Sequence, residues 1–238
     1  METLLTKKEF EKALREELNK QLTLEHPIFE ELLTRKDNFL IKKMALQGYQ
    51  LTKYFLEYIE HLFYTCPIPS HKRKLLFNMF EEETGYFSKT DNHVTLMQNF
   101  LNSLGISKQE RDKEVAYPET RELIEYRMRL VKDIETYHMG VAAVQIASEG
   151  QNLETKAHQA RHTILREEFN MNQKDLLFFS VHQNEDVYHV QEGIDLVVDI
   201  CSSRKMQNDA VEAVKTTCGL FYNMYDGIYR RDCLNKPR

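Results

Sequence analysis

Turn-forming residues are too scarce in this chain for a fold of many short elements. Only 8 glycines and 5 prolines are spread over 238 residues. A many-stranded β fold needs a cluster of Gly, Pro, Asn or Asp about every 8–12 residues. What lies between the breakers repeats with helical period. Phe10, Leu14 and Leu18 mark an amphipathic helix over 7–20, and Pro27 restarts the chain after "LEH". From Asp37, an N-cap, Leu40, Met44, Leu51, Phe55 and Leu62 predict one long helix ending at "CPIPS".

The next segment runs from Ser70 to Gly85 with Leu75, Leu76, Met79 and Phe80 inward, followed by the loop "YFSKTDN". "HVTLMQNFLNSLG" is helical to Gly105, Pro118 opens a helix reaching Gly140, and a terminal helix covers 206–229. The expectation is an all-α bundle of roughly seven or more helices. With no linker-like tract, it forms one domain over 1–238.

Composition removes several function classes. The net charge of −5 and the lack of a basic stripe argue against nucleic acid. The apolar runs, "DLVVDI" among them, are too short to span a bilayer. The N-terminus alternates charged and apolar residues with no signal-like core. Cys66, Cys201, Cys218 and Cys233 are scattered, as expected of free thiols in a reducing cytoplasm.

The stretch "FFSVHQNEDVYHVQEGIDLVVDI" (178–200) carries the chemistry. Positions i, i+4 and i+7 of a helix fall within a sector of about 60°, so His182, Asp186 and His189 point one way. Phe178, Phe179, Val181, Val187 and Val190 make the helix read as buried. A buried carboxylate between two imidazoles is unfavourable unless its charge is compensated. A bound metal does so; mutual hydrogen bonding or a wet cleft is the plainer alternative. Two further acids look inward. The stripe of Leu75 and Met79 continues onto Glu82 or Glu83, which periodicity cannot separate, and Glu149 ends the small apolar run "VAAVQIASEG". The plainer alternatives are a solvated helix-end carboxylate for Glu149 and an acidic surface triplet for Glu82.

In order and spacing, "CPIPSHKRKLLFNMFEEETGY" with its following "NH", "GVAAVQIASEG" and "HQNEDVYH" resemble the haem-oxygenase-like diiron oxidase and oxygenase superfamily over about residues 22–230. Within it these stretches are similar to the group of the Chlamydia protein associating with death domains. The likeness is more distant to pyrroloquinoline-quinone synthase and the thiaminase-like proteins. The resemblance implies a haem-oxygenase-like helical bundle and a ligand set of Glu82, His93, Glu149, His182, Asp186 and His189. It thereby selects Glu82 over Glu83. The loop before His93 is longer than the family pattern, and one extra residue lies between Gly140 and Glu149.

The implied cofactors are two iron ions, with manganese as the alternative and O2 as co-substrate. Mixed nitrogen and oxygen ligation without cysteine suits these metals better than structural zinc. The implied activity is oxidation or fragmentation of a small external substrate, an amino acid or related carboxylate, in specialised metabolism. A p-aminobenzoate synthase-type reaction that consumes a tyrosine of the protein needs that residue just after "LEH", where Phe29 stands. Other readings are a metal-free oxidase or thiaminase-like hydrolase of the same fold, and a helical interaction module without catalysis. The expected partners are a small molecule and a second copy of the chain. Arg161, His158 and nearby His162 are the weak candidates for a carboxylate anchor, with a solvated charged face as the simpler account. Tyr49, Tyr54 and Tyr58 read more readily as core than as pocket lining.

Overall fold

Several helices start where a side chain takes up free amides of the first turn. Thr6 accepts from the Glu9 amide and Glu9 reaches back to Thr6, a complete capping box that opens α1 (Lys7–Asn19). His26 caps α2 (Pro27–Arg35), whose proline sits in the first turn where its missing N–H is harmless. Asp37 accepts from the Phe39 and Leu40 amides to begin α3 (Asn38–Thr52). The computed structural model describes residues 3–151 and 161–234, and among these there is no strand.

The chain continues through α4 (Phe55–Thr65), α5 (Pro69–Thr84), α6 (His93–Ser103), α7 (Lys108–Lys113) and α8 (Pro118–Lys132). Next, α9 (Tyr137–Val141) widens into a π-helix over Ala142–Ser148. α10 (Arg161–Phe169), α11 (Leu177–Ile200) and α12 (Arg204–Tyr229) complete the bundle. Among the described residues no helix is long and apolar enough to cross a membrane.

Two expected long helices are broken. The segment from Asp37 to "CPIPS" parts between Thr52 and Phe55. The Thr52 hydroxyl donates to the Gly48 carbonyl at 3.2 Å, and the Tyr54 amide turns back to Leu51 instead of continuing the ladder. Such back-bonding bends helices, and no Gly or Pro announced it. The helix opened by Pro118 stops at Lys132, because Asp133 leaves helical geometry to cap the next short turn through the Glu135 amide at 3.0 Å. Three side chains expected to face inward do not: Leu76, Phe80 and Val187 are exposed.

The core forms where α1, α4, α8, α9 with its π-helix, α11 and α12 meet. Phe10, Leu14, Ile59, Leu62, Val141, Ile146, Val197 and Val214 are fully buried there. Each such side chain stabilises the fold by about 1.5–3 kcal/mol. Small residues let the π-helix sit deepest: Ala142, Ala143 and Ala147 have no exposed surface. A second cluster, built on Ile28, Leu40, Ile41, Met97, Phe100 and Leu101, packs α2, α3 and α6 together.

Candidate metal centre

α5 delivers two adjacent carboxylates to the interior, Glu81 at 2% and Glu82 at 7% exposure. Glu83, which periodicity could not distinguish from Glu82, points to solvent. The helix ends at Gly85, whose φ of 61° is open to glycine with little strain. The longer loop that follows is folded onto Glu81, which accepts from the Phe87 amide at 2.6 Å and the Ser88 amide at 3.2 Å. Asn92 then caps α6 through the Thr95 amide, leaving buried His93 as the first helical residue.

α11 contributes His182, Asp186 and His189 from one face, as their spacing required. His182 Nδ1 lies 2.6 Å from the Phe178 carbonyl. A carbonyl can only accept, so Nδ1 carries the proton and Nε2 is left as a free donor atom toward the cluster. The His182 ring stands 4.6 Å from that of His93. The π-helix over Ala142–Ser148 has a wider turn, which absorbs one residue without ending the helix. Ser148 is thereby turned toward Arg127, while Glu149, 1% exposed, faces His189 with 3.5 Å between Oε1 and Nδ1.

The structure brings all six expected residues together, as two triads. Glu82, His93 and His182 form one, and Glu149, Asp186 and His189 the other. Within each triad, one ligand atom per residue lies within 4.8 Å of the others. The arrangement is electrostatically incomplete. His93 Nδ1 and Nε2, Glu82 Oε1, Glu149 Oε1 and His189 Nδ1 are buried and make no hydrogen bond. His93 Nδ1 lies 3.0 Å from Glu82 Oε2 but is not aligned to share a proton with it. Buried polar atoms are nearly always paired, and a cluster of orphaned imidazole nitrogens and carboxylate oxygens is what a cation would satisfy. The donor set fits iron.

The titration behaviour points the same way. Burial would lower His189, but the Glu149 carboxylate, with Glu82 and Glu185, outweighs it and lifts the imidazole to about 9. Burial, reinforced by His93, pushes His182 down to about 4. Glu149 is held below the usual range despite its burial, by His189, His182 and a hydrogen bond from Asp186. Two buried carboxylates that share a proton are a pair awaiting positive charge.

Two acids beside the cluster were not anticipated. Glu81 and Glu185 form a third group with His93. Burial and the neighbouring Glu81 raise Glu185. Its spacing from His182 and His189, three and four residues, already placed it on the same helical face. Beside the cluster opens a cavity of about 470 Å³ reached by Glu82, Glu149 and His182. Its walls are largely apolar, with Phe29, Met97, Phe100, Phe179 and Phe221 prominent and Arg127 and Arg161 as the cations. Arg161 does not lie on a solvated face: its guanidinium stacks over Phe29 at 5.7 Å and Phe179 at 5.9 Å. His158 lies outside the described residues.

Tyr49, Tyr54 and Tyr58 do not line this cavity. Neither do the four thiols, all buried and free. Burial pushes Cys201 and Cys218 up to about 12, which removes them as nucleophiles near neutrality.

The model of a family described as iron-containing redox enzyme matches residues 42–222. The 4-aminobenzoate synthase of Nitrosomonas europaea is 28% identical over 170 residues, 70% of this chain and 65% of its own length. This chain therefore spans just under two thirds of that relative. The 4-aminobenzoate synthase of Chlamydia pneumoniae is 27% identical over 185 residues, 76% of this chain and 79% of that protein. Among solved structures, a TenA homolog from Pseudomonas syringae covers 97% of this chain, and 98% of its own, with a TM-score of 0.74 at 12% identity. A domain of unknown function with a heme oxygenase-like fold from Shewanella denitrificans covers 96%, and 94% of its own chain, with a TM-score of 0.73 at 14% identity. Such low identities establish the fold alone. The chain belongs to the family of iron-containing redox enzymes and has a haem-oxygenase-like fold.

Proposed function

We propose that the two triads hold two iron ions and that the protein uses O2 to oxidise a small external carboxylate bound in the adjoining cavity. The observation that carries this reading is the set of orphaned donor atoms in two adjacent triads. Glu82, His93 and His182 would ligate one ion, and Glu149, Asp186 and His189 the other. Three carboxylates against two divalent cations leave one positive charge over, which favours an anionic substrate nearby. Manganese satisfies the same donor set and is the alternative metal.

When bound, two ferrous ions supply the electrons that reduce O2. The chain's own part is positioning and protection. The Phe178 carbonyl fixes the His182 tautomer, which keeps Nε2 available as a ligand. Glu81 pins the loop that ends at His93 and so sets that imidazole's place. Phe178 and Phe179 help wall the cavity off from bulk water.

A second reading is favoured by the relatives' names: formation of 4-aminobenzoate. That product is itself an aromatic carboxylate and suits an apolar cavity with cations. Phe29, which lines the cavity, stands where a tyrosine-consuming route would need its tyrosine after "LEH", which argues against that route.

The test is anaerobic reconstitution with Fe(II), an iron count, and O2 uptake with chromatography for 4-aminobenzoate and for oxidised carboxylates. Two irons per chain, and one in Asp186→Ala, are expected. Failure to bind iron would sink both readings.

A further inference from the structure

Arg127 is sealed in the interior with no carboxylate among the described residues to balance it. It lies on α8, 1% exposed, among the largest fully buried side chains of the protein. Its Nε donates to the Leu123 carbonyl at 3.3 Å and Nη1 to the Ser148 hydroxyl at 3.1 Å. The rings of Tyr58 and Phe221 face the guanidinium at 4.7 and 5.4 Å. Tyr58 gives its phenolic proton to the Ile124 carbonyl, so its hydroxyl brings no charge. The remaining nitrogen, Nη2, is buried and unpartnered. Burial works against the guanidinium's charge, the Tyr58 hydroxyl offsets only part of it, and no carboxylate among the described residues relieves it. Arg111, also buried, has Asp112 at 3.4 Å.

A guanidinium stays charged even when buried, and a desolvated charge needs a counter-ion. Here the described residues do not supply one, yet Arg127 opens onto the cavity beside the metal cluster. Ser148, its hydrogen-bond partner, directly precedes Glu149. We infer that Arg127 binds the carboxylate of an apolar monocarboxylic acid, which completes the missing ion pair next to the metal centre. The inference rests on the reading of this cavity as the substrate chamber of the redox centre.

The cavity walls define the rest of the ligand. An α-amino acid would also need an acceptor for its ammonium group. Among the described residues, the acids that line the cavity are Glu82 and Glu149, both committed to the metal cluster, and Glu30, which is exposed to solvent. The fitting class is therefore an aliphatic or aromatic acid without an α-ammonium. A neutral amide of the same shape presents its own N–H donors to a guanidinium that has only donors, and is discriminated against.

The probes are octanoate and benzoate, each against its neutral amide, titrated calorimetrically into the full-length protein with and without iron. At least one acid is expected to bind more tightly than its amide. Arg127→Met is expected to weaken that acid about 10- to 100-fold, the worth of a charge-assisted hydrogen bond. The same variant, free of ligand, is expected to melt at a higher temperature than the parent, because an uncompensated charge has been removed. A merely structural arginine predicts the reverse. Should Arg127→Met not fold, Arg127→Lys keeps the charge without the planar fork and is expected to lose about tenfold.

Equal affinity for both acids and their amides, or unchanged acid binding in the variants, overturns the assignment. Iron counted on the same samples separates the two claims. Two irons without preference for an acid defeat this inference alone. Selective acid binding without iron defeats the redox reading and leaves Arg127 in its role.

Discussion

Replacing Gly193 by alanine tests whether helix packing sets the metal geometry. A Cβ at Gly193 would lie 2.7 Å from the Gln145 Cβ and 3.2 Å from Ile146 Cγ1, on the π-helix. Carbon atoms pack at about 3.5–4.0 Å, so α11 and the π-helix must separate locally by about 1 Å. Overpacking of this kind costs about 1–3 kcal/mol, offset by about 0.5–1 kcal/mol from alanine's better helix propensity. The net loss is about 0.5–2 kcal/mol, or a fall in Tm of about 1–8 °C for a chain of this size.

The more telling consequence is local. His189 lies one turn before Gly193 on α11, and Glu149 one turn after Gln145, with 3.5 Å between them. Spreading the helices opens the Glu149, Asp186 and His189 triad, whereas ligand distances tolerate only about 0.2 Å. The triad of Glu82, His93 and His182 does not depend on that contact. Anaerobic Fe(II) titration should therefore find one site intact and one weakened. Gly219→Ala on α12 is the control, since its Cβ meets only Gln21 Oε1 at an ordinary 3.7 Å, and it should leave both sites alone. Two unaltered iron sites and an unchanged Tm in Gly193→Ala would refute the link between packing and ligation.

Two further outcomes follow from the charges of the cluster. Asp186→Asn removes one of two buried carboxylates that share a proton. Chemical denaturation should show the metal-free variant at least as stable as the parent, while its iron count falls from two to one. In the metal-free parent, His189 is raised to about 9, so its stabilising proton is fully held below about pH 6.5 and lost as pH rises through about 9. His182, lowered to about 4, has the opposite effect, withdrawing stability as pH falls from about 6.5 toward that value. Urea melts across this range should give a maximum between the two limbs, and His189→Gln should lose the alkaline limb.

The all-helical class was legible because helical period and scarce turn residues agree along the whole chain. The six candidate ligands were legible in part from spacing: His182, Asp186 and His189 share a face on any regular helix. Glu185 shares it too, yet a charged residue three places from a histidine carries no signal of its own until the fold shows it buried. Leu76, Phe80 and Val187 were misplaced because an apolar residue in a helical period identifies a stripe without saying how wide the covered part is. The kink after Thr52 was invisible because a hydroxyl bonded to the preceding turn is a local geometric event, open to many threonines that never use it. Arg161, read as solvated, and Arg127, not singled out at all, needed the tertiary structure, since a cation's surroundings are set by helices remote in sequence.

The residue that the family resemblance counts as extra between Gly140 and Glu149 joins these observations. On a regular α-helix, one added residue rotates everything after it by about 100°, which would turn Glu149 away from His189 and offer Ser148 in its place. The π-helix over Ala142–Ser148 absorbs that rotation. Its wider turn is held by the Ser148 hydroxyl, which donates to the Ala143 carbonyl five residues back at 2.8 Å and accepts from Arg127 at 3.1 Å. The serine that could have occupied the ligand position thus anchors the buried guanidinium instead, and the Glu149 carboxylate is left to face His189. Ser148→Ala removes both bonds at once. It should therefore weaken iron binding at the triad containing Glu149 and carboxylate binding at Arg127 together, whereas a serine that only filled space would leave both unchanged.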